Sequence, residues 1–277
     1  MAGKKKDTSL LHHLVGSRSL VWNLAKNDIK KKFAGSYFGV VWAFVQPVIT
    51  VLLYWFVFEK GLNSKATDLR TGIEIPFVLW LTAGLGPWFY FQEALNGGTG
   101  VLVEYSYLVK KVVFQIDMLP VVKMISALFT HLFFVAFTMV LFICMGYMPD
   151  WYALQVIYYS FCMILFATGL VYATSAVTVF FRDMKEVVGI LLQIGMWVTP
   201  IMWNFETMVQ IPGWAITVLK LNPMYYIVSG YRNALINHIG FWEDMGLTVY
   251  FWVVTAVILF LGTTVFKRLR PHFADVL

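Results

Sequence analysis

Charged residues are scarce in this chain and are absent from its six longest apolar runs. Only 13% of the 277 residues are Asp, Glu, Lys or Arg, whereas 60% are hydrophobic. The runs span residues 37–58, 75–92, 124–149, 151–181, 187–205 and 245–266. A charge at the centre of a bilayer costs at least about 2.5–3.5 kcal/mol, and transporters that use ion gradients usually retain some charges as working parts. The absence of such charges argues against a transporter driven by an ion gradient.

Motifs for nucleotide binding and catalysis are missing as well. The sequence contains no G-x-x-x-x-G-K-[ST] loop and no arrangement of Ser, His and Asp that suggests hydrolysis. Its two cysteines, Cys144 and Cys162, lie inside apolar runs without a Cys or His at ligand spacing, which is typical of packing residues. We therefore expect a non-catalytic chain without a metal site or a cofactor of its own.

The six runs are each long enough, or nearly so, to cross a membrane. A helix of about 18–20 apolar residues spans the hydrocarbon core of a bilayer. The sequence thus predicts an all-α polytopic membrane protein with six transmembrane helices. In this interpretation residues 37–266 form the membrane domain, between a cytoplasmic segment, residues 1–36, and a cytoplasmic tail, residues 267–277. The basic N-terminus lacks the apolar stretch of a signal peptide, so we expect no cleavage.

The distribution of Lys and Arg gives the predicted orientation. Sixteen of the 21 lie in the two terminal segments and in the segments after the second and fourth runs, and five lie on the opposite side. Because basic residues favour the cytoplasmic side, both termini are predicted to lie in the cytoplasm. This bias accounts for the net charge of +6, and no basic stripe with interleaved aromatics indicates nucleic-acid binding.

Residues 20–33 are charged and yet periodic. Val21, Ala25, Ile29 and Phe33 recur every four residues, with Lys and Asn side chains on the other side. This pattern predicts an amphipathic helix on the inner surface of the membrane. Such a helix either borders a lateral doorway for a lipid-linked anion or is a basic anchor that contacts anionic lipid.

Residues 101–117 follow a cluster of glycines and predict a short cytoplasmic helix. A connection between two helices needs only about 2–8 residues, so this insertion is long enough to dock a partner protein. A plain surface helix is the alternative.

The predicted external segment before the last run holds two apolar stretches that are too short to cross a membrane. They lie within residues 206–236 and are broken at Pro212 and at Asn222-Pro223. Their lengths match re-entrant half-helices, whose irregular backbone is tolerated only where protein covers it or where it lines a water-filled cavity. Aromatic residues near the ends of the runs are typical of the belt that anchors membrane proteins. A second interpretation, a lining for a sugar polymer, applies to Trp197, Trp203, Tyr225 and Tyr226.

Glu93 and His131 are the titratable residues most expected to be buried. His131 lies midway along the third run, with Ser126 and Thr130 on the same predicted helix. This setting is more typical of a hydrogen-bonded packing residue than of a proton relay.

Four sequence strings carry a family resemblance. The strings LVWNLAKNDIKKKFAGSYFGVVWAFVQPVI, VEYSYLVKKVVF, VFFRDM and LKLNPMYYIVSGYRNAL follow one another along nearly the whole chain. Together they resemble the permease subunits of ABC exporters for lipid-linked cell-surface polysaccharides. The resemblance implies a homodimer in the bacterial plasma membrane with two separate ATPase subunits, which bind the ATP and Mg. The cargo that it implies is a wall teichoic acid, O antigen or capsule carried on undecaprenyl diphosphate.

The resemblance also implies roles for individual residues. The residues that contact the ATPase would be Tyr107, Leu108, Val109, Lys110 and Lys111. The level at which a diphosphate head group would approach is also that of the basic side chains of residues 20–33, and on this physical ground we expect it to meet Lys26, Lys30, Lys31, Lys32 and Tyr37. The half-helices around Pro212 and around Asn222 and Pro223 would shape the outer exit of a channel at the dimer interface. The aromatic lining of that path would be Trp197, Trp203, Tyr225 and Tyr226, from the second interpretation of these aromatics given above.

Two other functions stay open on the sequence. An ABC exporter of drugs or small lipids has the same architecture, although such relatives commonly carry a large external domain and the external segments here are short. A membrane-embedded enzyme or scaffold without transport activity is the second alternative.

Overall fold

Helices make up most of the structure, a computed structural model that describes residues 18–110, 115–203 and 212–277. In chain order they are α1 Arg18–Lys32, α2 Trp42–Trp55, α3 Phe77–Thr99, α4 Val101–Glu104, α5 Ser106–Val109, α6 Met118–Cys144, α7 Gln155–Phe180, α8 Met184–Val198, α9 Gly213–Lys220, α10 Pro223–Arg232, α11 Met245–Leu269 and α12 Phe273–Val276. Two π turns, Phe56–Gly61 and Asn233–Asn237, extend α2 and α10. Short 3-10 turns, Gly39–Val41, Trp151–Leu154 and Arg270–His272, precede α2, α7 and α12.

Within the described residues, four helical segments are long and apolar enough to cross a membrane. They are Trp42–Gly61, Met118–Cys144, Trp151–Phe180 and Met245–Val276. These segments coincide with the first, third, fourth and sixth apolar runs. The prediction of a helical, multi-pass membrane protein is therefore confirmed.

The second and fifth runs form helices of a different kind. Helix α3 has 23 residues, but Gly84, Pro87 and Asn96 lower its hydropathy. Helix α8 has 15 residues and ends at Val198, so it is about 22 Å long and shorter than the core of a bilayer. The end of the fifth run, residues 204–205, lies outside the described residues. The count of six membrane-spanning helices stays a prediction.

Helix α3 lies at the centre of the bundle. It packs against α6, α7, α8 and α10, and its side chains Leu79, Leu81, Leu85 and Trp88 are almost completely buried. A helix that is surrounded by other helices meets protein rather than lipid, so it tolerates small and polar residues. This position explains the modest hydropathy of α3.

Glycines permit a close contact between α7 and α11. A Cβ atom on Gly262 would lie 2.0 Å from the carbonyl oxygen of Gly169. The backbones approach each other directly there, as in other membrane helix pairs with small residues at the crossing.

A second close contact lies between α3 and α7. A cluster of glycines is expected to interrupt a helix, but α3 continues through Gly97 and Gly98. Gly98 packs on Val171 of α7, and a Cβ would lie 2.4 Å from a methyl group of that valine.

A small hairpin on the predicted external side contains two short strands. Strand β1, Ala66–Thr67, pairs antiparallel with β2, Glu74–Ile75, in the register Ala66 to Ile75. The turn between them is held by Asp68, which accepts hydrogen bonds from the hydroxyl of Thr71 (2.6 Å) and the amide of Arg70 (2.8 Å). Burial alone would raise the pKa of Asp68, but these hydrogen bonds outweigh it and lower the pKa overall.

Two short helices occupy the region where half-helices are predicted. Helix α9 has 8 residues and α10 has 10. The side-chain oxygen of Asn222 caps α10 by accepting from the amide of Met224 (3.0 Å), and Pro223 is the first helical residue. Residues 206–211 of the predicted re-entrant region lie outside the described residues. Membrane re-entry of this region stays a prediction.

Candidate functional site

A cavity of about 760 Å³ opens between α1, α2, α3 and α6 on the predicted cytoplasmic side. Charged groups from α1, α3 and α6 lie beside polar groups that belong to the apolar helices. Its lining includes Asp28, Ile29, Lys31, Lys32, Phe33, Phe44, Gln46, Pro47, Thr50, Phe89, Gln92, Glu93, Asn96, Glu104, Lys123, Ser126, Phe129 and Thr130. This combination marks the cavity as a candidate site for a ligand with an anionic and a polar part.

Helix α1 closes one side of the cavity because its apolar face packs on α6. Val21 and Ala25 are buried against Met118 and Val122. The hydroxyl of Ser126 donates to the carbonyl oxygen of Ala25 (3.1 Å), which fixes the height of α1 against α6. The four-residue period that predicted an amphipathic helix therefore corresponds to a packed face.

A buried acid, Asp28, lies on the same face of α1. Its Oδ1 atom accepts hydrogen bonds from Lys123 Nζ (2.6 Å) and from the hydroxyl of Tyr105 (2.8 Å). Lys123 also contacts Glu104 Oε2 at 2.9 Å. Burial, followed by the hydrogen bond and charge of Asp28, raises the pKa of Tyr105, so the hydroxyl keeps its proton. The network joins α1, the α4–α5 segment and α6.

The sequence analysis missed Asp28, although a signal for it was present. Val21, Ala25 and Asp28 follow the i, i+4, i+7 spacing of one helix face. A lone acid on an apolar stripe has to find a partner, since an unpaired buried charge is costly.

A second ion pair lies at the mouth of the cavity. Lys32 Nζ is 2.6 Å from Glu93 Oε1, and the two side chains are 52% and 26% exposed. The pair is accessible enough for an incoming anion to compete with Glu93 for the lysine.

The residues predicted at the head-group level separate into two groups. Lys31 and Lys32 line the cavity. Lys26, Lys30 and Tyr37 are not among the described residues that line it; Lys26 lies over the ring of Trp22, and Tyr37 is 96% exposed.

The predicted partner-docking segment forms two four-residue helices, α4 and α5, instead of one helix. Leu102, Tyr105 and Val109 are buried in a cluster that includes Phe266 and Phe273. This packing fixes which side of the segment faces outward.

Within the predicted docking residues, Tyr107 and Lys110 face outward. Tyr107 is 52% exposed and Lys110 is exposed, while Leu108 is half-buried and Val109 is buried. Lys111 lies outside the described residues. An outward Tyr next to an outward Lys is a suitable surface for a partner protein, since aromatic residues are enriched at interfaces.

The residues predicted at the outer exit also have different environments. Trp203 and Tyr225 line a second cavity, of about 280 Å³, with Trp80 and Arg232. Trp197 is 58% exposed, and Pro212 is exposed at the start of α9. The other three have contacts typical of structural residues. Asn222 caps α10, and Pro223 is the first residue of that helix. The hydroxyl of Tyr226 is hydrogen-bonded to the hydroxyls of Tyr158 (3.0 Å) and Thr248 (3.1 Å). A role for any of them in a conduit stays a prediction.

Arg232 organises the wall of this second cavity. Its guanidinium lies 3.3 Å from the centroid of the Trp80 ring and donates to the carbonyl oxygens of Pro200 and Ile201, both at 2.7 Å. These carbonyls follow the end of α8, where no helical amide is available to them. The arginine thereby joins α10 to α3 and to the end of α8.

His131 is buried and makes its side-chain hydrogen bonds through one ring nitrogen, Nε2. It is 2% exposed and contacts the hydroxyls of Tyr231 (3.1 Å) and Ser160 (3.3 Å). Among the residues that the structure describes, no group of three or more His, Cys, Asp or Glu is placed to hold a metal ion.

Known proteins match this chain over most of its length. The profile of the family described as ABC-2 type transporter matches residues 19–236. The chain is 25% identical over 266 residues to the O-antigen export system permease protein RfbA of Myxococcus xanthus, covering 96% of this chain and 98% of that protein. It is 21% identical to a protein of the same name from Klebsiella pneumoniae, over 92% and 93% of the two chains. It is 22% identical to the polysialic acid transport protein KpsM of Escherichia coli, over 87% and 89%.

Proposed function

Because this chain belongs to the ABC-2 type transporter family, we propose that it is the permease subunit of an exporter of cell-surface polysaccharide. The observation that carries the proposal is its end-to-end similarity to permeases named for O-antigen export, together with its similarity to a polysialic acid transporter. Both kinds of cargo are polysaccharides. The charge-free apolar runs fit a permease whose driving force comes from another molecule.

The energy source in this proposal is a separate ATPase subunit, which binds the ATP and Mg. Two copies of the permease and two ATPase subunits form the exporter. Tyr107 and Lys110 are the exposed residues that would contact the ATPase, and α4 and α5 would transmit its motion to α7 and α11. A conduit between two permease copies is favoured because the centre of this bundle is filled by α3.

The cargo in this proposal is linked to undecaprenyl diphosphate in the bacterial plasma membrane. With six spans and both termini in the cytoplasm, the 760 Å³ cavity opens at the level of the inner lipid head groups. Lys31 and Lys32 then supply the positive charge for the diphosphate, and α1 borders the doorway. The short helices α9 and α10 lie at the outer exit.

The cavity separates the lysines of α1 into a test pair and a matched control pair. Replacing Lys31 and Lys32 with Gln removes two charge-assisted contacts to the diphosphate, so we expect binding of undecaprenyl diphosphate to weaken at least tenfold. We expect surface polysaccharide to fall in parallel when the variant replaces the wild-type gene. Binding is measured with the full chain in lipid nanodiscs, and polysaccharide is measured on intact cells.

The control is Lys26→Gln with Lys30→Gln, which removes the same charge from the same helix outside the cavity. Each double variant removes two positive charges from α1, so both lose the same attraction to anionic lipid. A difference between them in diphosphate binding or in surface polysaccharide therefore requires a site in the cavity. Equal loss in both variants would mean that α1 is a basic anchor. Normal surface polysaccharide in a deletion strain would refute the polysaccharide proposal and favour an exporter of drugs or small lipids.

A second prediction concerns Tyr107 and Lys110, the exposed residues of the predicted partner-docking segment. Tyr107→Ala combined with Lys110→Glu should weaken co-purification of the ATPase about tenfold or more, because it removes an exposed aromatic anchor and reverses the neighbouring charge. Thermal stability should not change, since both side chains point outward. The amount of ATPase retained on the purified permease is the measurement.

Lys267→Glu is the matched control, because it reverses an exposed charge at the same predicted side of the membrane. Co-purification that is unaffected by the Tyr107 and Lys110 changes, or equally affected by the control, would show that α5 is a plain surface helix.

A further inference from the structure

Three apolar helices direct polar side chains into the 760 Å³ cavity with the same spacing. On each of α2, α3 and α6, two polar residues four positions apart line the cavity, which places them on one face of the helix. The pairs are Gln46 with Thr50, Gln92 with Asn96, and Ser126 with Thr130. Polar residues in membrane helices are costly unless water, protein or a ligand satisfies them.

Protein contacts do not account for the amides in this set. The hydroxyl of Thr50 donates to the carbonyl oxygen of Gln46 (3.0 Å), and that of Ser126 donates to α1. Within the described ranges, the side-chain amides of Gln46, Gln92 and Asn96 make no hydrogen bond to the protein. Each amide carries two donor hydrogens and an acceptor oxygen, so the three together offer many hydrogen bonds to a guest molecule.

The chemistry of the amides differs from that of the neighbouring lysines. Neutral groups that both donate and accept match hydroxyl and N-acetyl groups, whereas Lys31 and Lys32 match phosphate. Both kinds of group line the same cavity, and Glu93, whose carboxylate holds Lys32 at 2.6 Å, lies on α3 together with Gln92 and Asn96. The rings of Phe89 and Phe129 supply apolar surface in the same cavity. A ligand with a phosphate joined directly to a sugar fits this order of groups.

We propose that Gln92 and Asn96, with Gln46 on the facing helix, bind the sugar that is joined to the diphosphate of the carrier lipid. The inference rests on the proposed function, because it assumes that Lys31 and Lys32 hold the diphosphate. Its consequence is selectivity: the permease binds the sugar-bearing lipid in preference to the bare carrier, which has nothing to place against the amides. The cavity thus distinguishes a loaded carrier from an empty one before transport begins.

The test compares two probes on the full chain in lipid nanodiscs: undecaprenyl diphosphate, and undecaprenyl diphosphate that carries one N-acetylhexosamine. We expect the wild type to bind the sugar-bearing lipid about tenfold more tightly, as two or three neutral hydrogen bonds allow. Gln92→Met with Asn96→Leu keeps the side-chain size and removes two of the three amides, so most of the preference for the sugar-bearing lipid should be lost. Gln193→Met, a glutamine on α8 outside this lining, should preserve the tenfold preference.

Asn96→Leu alone is the second variant, since Asn96 is exposed and its replacement disturbs no packed contact. It should reduce the preference to about threefold, as expected for loss of one hydrogen bond. Equal binding of the two lipids by the wild type, or an equal loss for both lipids in the double variant, would overturn the sugar site and leave the head-group proposal standing. Failure of the wild type to bind either lipid would overturn both.

Discussion

Replacing Lys123 with Met is expected to abolish export and to lower the stability of the permease by about 3–5 kcal/mol, because it leaves the Asp28 carboxylate buried without a cation. The Lys123 side chain is 13% exposed and that of Asp28 is 7% exposed, so most of the ion pair is shielded from solvent. The hydroxyl of Tyr105 remains as a donor but does not neutralise the charge. Thermal unfolding in detergent and surface polysaccharide are the two measurements.

The double variant Asp28→Asn with Lys123→Met is the control for this prediction. It removes both charges, and the asparagine oxygen still accepts from Tyr105, so most of the lost stability should return. If the double variant is as unstable as the single one, the loss comes from packing around Lys123 and not from the buried charge.

Gly262→Ala is expected to have the second large effect. The new methyl group would lie 2.0 Å from the carbonyl oxygen of Gly169, and this oxygen belongs to backbone that cannot move aside by a change of rotamer. Forcing α7 and α11 apart costs typically about 1–3 kcal/mol and disturbs every contact along the pair. We expect a clear drop in the unfolding temperature and in the yield of folded protein.

Gly189→Ala is the matched control for Gly262. Gly189 also lies inside a helix, α8, but apart from its own helix backbone the described residues place no atom within 4 Å of the position of a new Cβ. Alanine there should be neutral or slightly stabilising, because it favours the helix by about 1 kcal/mol relative to glycine. Similar behaviour of the two variants would mean that the α7–α11 crossing is not held at Gly262.

The sequence predicts a helix well where apolar residues recur on one face or form a long run. It predicts less well a helix such as α3, whose neighbours are other helices and not lipid. Val21 and Ala25 locate the packed side of α1, and the charge-free runs locate the long helices. The central position of α3 cannot be read from hydropathy, because a helix that faces protein resembles a poor membrane span. Gly98 illustrates the same limit: in the sequence it reads as a break, and in the fold it makes room for Val171.

The sequence predicts which lysines belong to the candidate site, but it does not predict how the residues of the site are arranged in space. Lysines in succession along α1 point in different directions, and only the positions of α3 and α6 decide that Lys31 and Lys32 face the cavity. Asp28 was overlooked because acids on a basic helix are usually solvated. Gln92 and Asn96 have a readable spacing, but nothing in a single sequence shows that Gln46 lies across from them.

The contacts of Arg232 limit how the outer end of the protein can move. Separating α10 from α3 or from the end of α8 would break the contact with the Trp80 ring or the hydrogen bonds of the largely buried guanidinium to two carbonyl oxygens. We therefore expect α10, α3 and the end of α8 to move as one rigid unit. Helix α9 has no buried residue, and none of these contacts of Arg232 reaches it.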